Sequence, residues 1–395
     1  MENSGAHQFR VIVVGGGGTG AAILHDLSLR GLDAVLVERG ELTSGTTGRH
    51  HGQLHSGARY AAGDPESAGE CVEENAILRR IARPALELND GLFVAVSDEE
   101  EAFSGRFLES CRACGISARL LAGEEALALE PNLTREVRLA VQVPDGTMDA
   151  WRLPMMFFST ARSQGADIRT FTEVLDLESV AGCVTGVRVV DRREGREYTI
   201  KGDLVVNAAG PWAGRVARMA GVTVPIRPTP GVMVAVRGRL SNMVVNRLSP
   251  PGDADIVVPQ RNLSIVGTTS WFVETPEDAL HCPEGHVEML IEKGAEMIPE
   301  LRRAPVRAAW VAARPLIGDK KEESGRGMSR AFRCYDHRSE DGVNGLVSVA
   351  GGKATTLRAM AEKAVDLVCA KLGLDLPCRT RDRVLLPHQA FFSRG

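Results

Sequence analysis

The period of the apolar positions changes along the chain, and each change marks an element. Phe9–Val14 is a nearly continuous apolar run of the kind seen in a strand buried on both faces. It leads into a run of glycines, after which Ala21–Arg30 has a helical pattern that Gly31 stops. Asp33–Glu38 then reads as a second strand. Helical periodicity returns over Pro65–Ala82 and Glu99–Cys114. From Ala166 the period shortens to that of strands, predicted over Asp167–Phe171, Glu173–Val180, Val184–Val190 and Glu197–Ile200. Gly202–Gly210 enters a buried strand that ends in small residues. Strands are predicted near Val232–Val236, Ile256–Val258, Leu263–Thr268 and Val306–Ala313, with a helix over Pro283–Ile298. A last buried strand, Gly345–Ala350, meets Gly351-Gly352-Lys353 and a helix from about Thr355 to Leu372.

The first turn carries chemistry. Gly15-x-Gly17-x-x-Gly20 lies between a strand and a helix, and Glu38 ends the next strand, a βαβ unit with the spacing of a dinucleotide fingerprint. The glycines let the backbone approach a pyrophosphate, and the helix N-terminus adds N–H donors and partial positive charge. Glu38 suits an adenosine ribose, and its charge opposes a 2′-phosphate. FAD and NAD share this unit, and three features favour FAD. The polar, glycine-rich segment Thr43–Gly57 suits a long ribityl-pyrophosphate and a ring edge. Val205–Trp212 returns a strand with a small-residue end. Gly351-Gly352-Lys353 points a second helix N-terminus at something anionic, as the electron-rich side of a reduced flavin is.

The predicted class is therefore α/β: a Rossmann-like FAD-binding domain interleaved with a β-rich, mixed α+β substrate domain. The FAD-binding segments are placed at 1–92, 141–222 and 340–376, and the substrate or cap segments at 93–140 and 223–339. The tail, 377–395, is expected on the surface.

Composition narrows the function. Lys and Arg number 47 against 51 Asp and Glu, a formal charge of −4, and no basic stripe stands out, so nucleic acid is not an expected partner. No apolar run approaches the ~20 residues that cross a bilayer. The polar start, Met1–Arg10, predicts no signal peptide, and eight scattered cysteines predict reduced thiols in a cytoplasmic chain. Cys111 and Cys114 have redox or metal-ligand spacing, but no second CxxC or suitably placed His pair completes a zinc site, so no metal is expected. The 42 glycines exceed ordinary usage of roughly 7% and point to many turns and close backbone approaches.

From Val11 to Leu386 the chain resembles the FAD-dependent glycerol-3-phosphate dehydrogenases of the glycine-oxidase/D-amino-acid-oxidase fold group, above all the large catalytic subunits of the bacterial anaerobic type. The likeness rests on Val11–Gly20, Thr46–Tyr60, Val143–Thr147, Val206–Gly210, Asn246-Arg247, Asp253–Ile256, Gly267–Ser270, Ala313–Leu316, Ser329-Arg330 and Gly351–Thr356. It implies hydride transfer from C2 of a small phosphorylated polyol to flavin N5, with electrons passed to a quinone or a partner subunit. It also allows peripheral contact with the inner face of the cytoplasmic membrane.

The resemblance puts Arg59, Tyr60, Arg314, Arg330 and Lys353 at the substrate. His55 is either the base or a hydrogen-bond partner of the flavin. At the cofactor it puts Gly15, Gly17, Thr19, Gly20, Glu38, Arg39, Thr46, Thr47, His51, Leu54, Ser56, Val174, Ala209, Gly210, Gly351, Gly352, Lys353 and Thr355. His25, His50, His281, His286 and His388 receive no role, and Arg326 is expected in a solvated loop. Three departures stand out. Pro230-Gly231-Val232 replaces a usual Lys-Gly-Ser, and Leu357 stands where Tyr is usual; both bear on the choice of substrate. The chain also stops before the cysteine-bearing module of longer relatives, so no iron–sulfur cluster is expected. Two other readings stay open: a same-fold enzyme acting on another polyol phosphate, a 2-hydroxy acid or an amine, and a non-catalytic flavoprotein subunit.

Overall fold

Strand β1 (Arg10–Val14) lies inside a six-stranded sheet, parallel on one side to β2 (Asp33–Val37) and on the other to Leu204–Asn207. Asp167–Arg169 extends the sheet beyond β2, and Leu346–Gly351 extends it at the other end. Phe332–Asp336 closes that end as the one antiparallel member. The computed structural model describes residues 9–277, 281–318 and 328–393, so Arg326 and the first eight residues lie outside the described residues. Side chains alternate across this sheet. Val11, Val13, Leu36, Leu204 and Val206 pack under helix α1 (Gly18–Leu29) and the helices Arg152–Ser163 and Leu357–Leu372. Ile12, Val14, Val35, Val37 and Val205 face the antiparallel strands Thr172–Val180, Cys183–Asp191 and Glu197–Lys201. Both faces are covered, which is why these strands read as unbroken apolar runs.

The second body is an eight-stranded sheet in the order Val306–Ile317, Ile226–Arg237, Leu263–Gly267, Ile256–Gln260, Val244–Arg247, Gly91–Ala95, Leu139–Val143, Arg119–Ala122. Its first two strands pair antiparallel with Thr229 opposite Arg314. The strands Gly91–Ala95 and Leu139–Val143 belong wholly to this sheet, whereas the expected borders at 92/93 and 140/141 cut through both. Phe332–Asp336 belongs to the six-stranded sheet, ahead of the expected border at 340.

One element goes beyond expectation, and the tail is more firmly held than its exposure suggests. Arg152–Ser163 is a helix, buried over Leu153–Ala161, where no element is predicted. Its Pro154 sits in the first turn, where the missing N–H costs nothing. The tail runs with most of its described residues exposed or half-buried and is fastened at several points. Leu385 is buried and its N–H donates to the Ile81 carbonyl at 2.9 Å, and the Leu386 N–H donates to Thr160 Oγ1 at 2.9 Å. The buried Arg358, itself paired with Glu74, donates to Thr380 Oγ1 at 3.0 Å.

Candidate active site

The six-stranded sheet, the Thr43–Gly57 segment and the strand Val306–Ile317 enclose a cavity of about 660 Å³. One end is built by the glycine turn. Gly15 has φ +113°, and a Cβ there would come within 2.6 Å of the Ala208 carbonyl oxygen. A Cβ at Gly20 would lie 1.9 Å from the Gly15 carbonyl oxygen, so this glycine seats α1 against the turn and does not line the cavity. Gly15, Gly17, Thr19, Ala209 and Gly210 do line it. Thr47 Oγ1 accepts the Gly18 N–H at 2.9 Å. Glu38 accepts from the N–H groups of Gly16, at 2.7 Å, and Gly40, at 2.8 Å, and so closes the turn while facing the cavity. Beside it the Arg39 guanidinium lies 4.1 Å from the Trp212 ring centroid, with Val174 nearby on the wall.

The other end gathers the expected cations. Arg314 arrives on its strand and donates to the carbonyls of Thr229, Pro230 and Thr269 at 3.2, 3.1 and 3.2 Å, and to the Thr268 hydroxyl. A Cβ at Gly231 would lie 2.5 Å from Arg314 Nη2, so the strand needs glycine there for the guanidinium to fit. Lys353, after Gly351 and Gly352, donates to Glu70 Oε2 at 3.0 Å and to the Arg330 carbonyl at 2.9 Å, with its ammonium 5.4 Å from the Tyr60 ring centroid. Asp64 caps the Pro65–Ile81 helix by accepting the Ser67 N–H, and it also accepts the Arg330 N–H at 2.9 Å. Arg314, Arg330, Lys353, Tyr60, His51 and His55 all line this end, as does Thr46, whose hydroxyl donates to the Ala313 carbonyl at 2.6 Å.

Four other expected residues do not line the cavity. Arg59, expected at the substrate, is one of them. Its Nη2 donates to both oxygens of Asp255, at 2.8 and 2.7 Å, and both side chains are buried, so the carboxylate holds one arm of the guanidinium. Leu54 is in the core under the six-stranded sheet. Ser56 turns to Asp145, whose Oδ1 accepts the Ser56 N–H at 2.7 Å. Thr355 accepts the His55 N–H at 3.1 Å and meets the site through that histidine.

Asp145 also accepts from Gln53 Nε2 at 2.8 Å, so one buried carboxylate grips the strand that carries His55. Burial raises the Asp145 pKa. Asp145, Asp255, Glu70 and Asp64 are the working residues that the sequence left without a role. The first two lie inside quoted motifs, and nothing local marks the other two. His50, also without an expected role, lines the cavity. His25 is buried with its ring 5.4 Å from Phe157, a core position.

His55 Nε2 lies 3.4 Å from the Tyr60 hydroxyl, and its buried Nδ1 has no partner among the described residues. Burial, and then the charges of Arg59 and Lys353, hold its pKa well below the usual imidazole value. Burial also pushes Tyr60 up to about 12, so the phenol stays protonated. A neutral His55 stays ready to accept a proton below the ordinary imidazole pKa of roughly 6.5. In a pH–rate profile, kcat/KM should therefore hold level through that pH and fall only in more acid solution. An acid limb centred at or above pH ~6.5 would remove His55 as the base.

One departure lies against Arg314, which donates to the Pro230 carbonyl and leaves no room for a Cβ at Gly231. Residues 230–232 do not line the cavity, and Leu357 lines it beside the glycine turn, with its Cδ2 3.5 Å from where a Gly18 Cβ would stand. Among the described residues no cluster of His, Cys, Asp or Glu could hold a metal ion, and no helix is long and apolar enough to cross a membrane.

A glycine-turn cleft running between a parallel sheet and a β-rich lobe, with an imidazole and cations at its far end, defines a two-domain flavin-dependent oxidoreductase. Residues 10–358 match the FAD dependent oxidoreductase (DAO) family, and the chain belongs to it. The chain is 45% identical to the A1 subunit of the anaerobic glycerol-3-phosphate dehydrogenase of Haloferax volcanii, over 95% of its own length and 66% of that protein's. It is 39% identical to the corresponding subunit of the anaerobic enzyme of Escherichia coli K12, over 98% and 71%. It thus spans about two thirds of the length of these relatives. The glycerol-3-phosphate dehydrogenase of Bacillus halodurans, solved with FAD, shares the fold with a TM-score of 0.74 at 24% identity, covering 96% of this chain and 68% of that one.

FAD is the cofactor of this family, and the cleft fits it. Gly15 and Gly17 leave the backbone open to a pyrophosphate at the α1 N-terminus, and the volume is in the range of a cofactor site.

Proposed function

We propose that the chain oxidises sn-glycerol 3-phosphate to dihydroxyacetone phosphate and passes the two electrons to a partner subunit or a quinone. The observation that carries this is the gathering of Arg314, Lys353 and Arg330 around His55 and Tyr60, at the end of the cavity away from the glycine turn. Bound FAD supplies the acceptor for the hydride that leaves C2 with its electron pair. His55 takes the proton of the C2 hydroxyl as the carbonyl forms. Tyr60 holds His55 Nε2 and is itself held by Lys353. Arg314 draws the phosphate by its fixed charge, since its Nη1 and Nη2 are bonded to Thr229, Pro230, Thr268 and Thr269. Arg330 and Lys353 add charge beside it. Arg59 acts from behind through Asp255, by fixing its own short helix and keeping His55 neutral. Delivery of electrons at the inner face of the cytoplasmic membrane, by peripheral contact, completes the proposal.

The test is a visible spectrum of the purified protein, followed by anaerobic addition of glycerol 3-phosphate. Rapid bleaching of the oxidised flavin band is expected. A band that stays oxidised here but bleaches with another polyol phosphate, a 2-hydroxy acid or an amine would replace the substrate. A band that no substrate bleaches would favour a non-catalytic flavoprotein subunit.

A further inference from the structure

Three imidazoles stand in a row at the reactive end of the cavity. The ring centroids of His50 and His51 are 6.4 Å apart, and those of His51 and His55 are 6.0 Å apart. They are not equivalent. His50 Nδ1 accepts the Gly52 N–H at 2.9 Å, and His51 Nδ1 accepts the Gln53 N–H at 3.1 Å. Each histidine thus closes a turn on the backbone two residues ahead, as Asn and Asp side chains do. A backbone N–H can only donate, so Nδ1 in both rings must offer its lone pair, and a neutral ring then carries its proton on Nε2. Adding a second proton would set one N–H against another.

We propose that His50 and His51 are locked as Nε2–H donors to electron-rich atoms of the FAD ring system, leaving His55 as the one imidazole of the three that takes up a proton. The inference deepens the function proposed above and rests on it only in taking FAD as the ligand of this cavity; it does not depend on the substrate. Three observations support it. In each ring the bonded Nδ1 faces the residue's own backbone, which leaves Nε2 on the far side of a side chain that lines the cavity. Burial lowers the His50 pKa to about 4 against a smaller opposing pull from Asp149. Burial lowers that of His51 well below the usual value, and the neighbouring His55, His50, Arg59 and Arg314 lower it further. The segment is also held rigidly: the Arg49 carbonyl accepts from Trp310 Nε1 at 2.7 Å, and the His51 carbonyl accepts from Gln260 Nε2 at 3.4 Å. Donors fixed in this way need no reorganisation when electron density arrives on a ring beside them, so they favour its reduced form.

Two measurements on the holoenzyme test this. The first is nitrogen NMR of protein labelled with 15N-histidine, with the signals assigned through His50→Asn and His51→Asn. Asparagine can accept the same N–H two residues on, so these variants retain the turn. Both histidines are expected to show an unprotonated Nδ1 and a protonated Nε2, with no titration across the range of roughly pH 5–8 where ordinary histidines change charge. A protonated Nδ1, or titration in that range, would overturn the lock. The second is the midpoint potential of bound FAD without substrate. It should shift to a more negative value in His51→Asn, and further when both residues are replaced. An unchanged potential in the double variant would overturn the donor role. Neither measurement uses glycerol 3-phosphate, so failure of the proposed substrate and failure of this inference are separable.

Discussion

Replacing Arg314 with alanine is expected to lower kcat/KM for glycerol 3-phosphate by ~10²–10³-fold, with most of the loss in KM, while FAD stays bound. Arg314 is already oriented before any ligand arrives. Three carbonyls and the Thr268 hydroxyl hold its fork, and the fork occupies space that a side chain at position 231 would fill. Binding a phosphate there calls for little further ordering of a long side chain, which is where a flexible cation loses affinity. Arg314→Lys should recover only part of the loss, because an ammonium keeps the charge but cannot make the four bonds that fix the guanidinium in place. Gly231→Ala should act in the same direction by displacing the guanidinium. Steady-state kinetics with FAD content measured alongside decide the matter. An Arg314→Ala enzyme with wild-type KM would take phosphate recognition away from this residue.

Gly20→Ala should yield protein that holds little FAD and is less stable by about 3 kcal/mol or more, beyond the usual cost of overpacking, because the obstacle is backbone. The added Cβ would sit 1.9 Å from the Gly15 carbonyl oxygen, and only separation of α1 from the turn relieves that contact. Moving α1 also moves the N–H groups that face the pyrophosphate. Gly105→Ala is the matched control. That glycine is on the exposed side of the Asp98–Ala113 helix with nothing within 4 Å of a Cβ, so the change should stabilise by ~0.5–1 kcal/mol. Flavin absorbance per protein and thermal melts separate the two. A Gly20→Ala protein with a full complement of FAD would show that α1 can shift without harm.

How far the site is legible in the sequence depends on how local each relation is. The glycine turn, Glu38 and the helix that follows lie within one short stretch, and they fold as their spacing predicts. Arg314 lies within the strand Val306–Ile317 and Lys353 just past the end of Leu346–Gly351, each in a recognisable motif, and both line the cavity. Arg59 carries an equally strong motif yet is taken up by Asp255, 196 residues away. Its helix is a single turn, Ala58–Ala61, and nothing in that turn says which acid it will meet. Lys353 meets Glu70 across 283 residues, and the Arg330 N–H meets Asp64 across 266. The Arg152–Ser163 helix was hidden for a different reason, since Pro154 reads as a helix breaker although the first turn tolerates it.

The class of this protein is written in the order of its amino acids. An α/β fold, a dinucleotide cleft and FAD in preference to NAD follow from patterns that act over a few turns of chain, and a cationic, imidazole-bearing site follows from the resemblance that its motifs carry. How the charges and protons are shared became visible with the folded chain. Folding assigned Arg59 to Asp255, fastened the tail to buried Thr160 and Arg358, and put three histidines of one segment into a single cavity with different nitrogens committed. The physical reason is burial. Once water is excluded, a charge or a lone pair must find its partner inside the protein, and which partner lies within reach is set by packing between segments hundreds of residues apart.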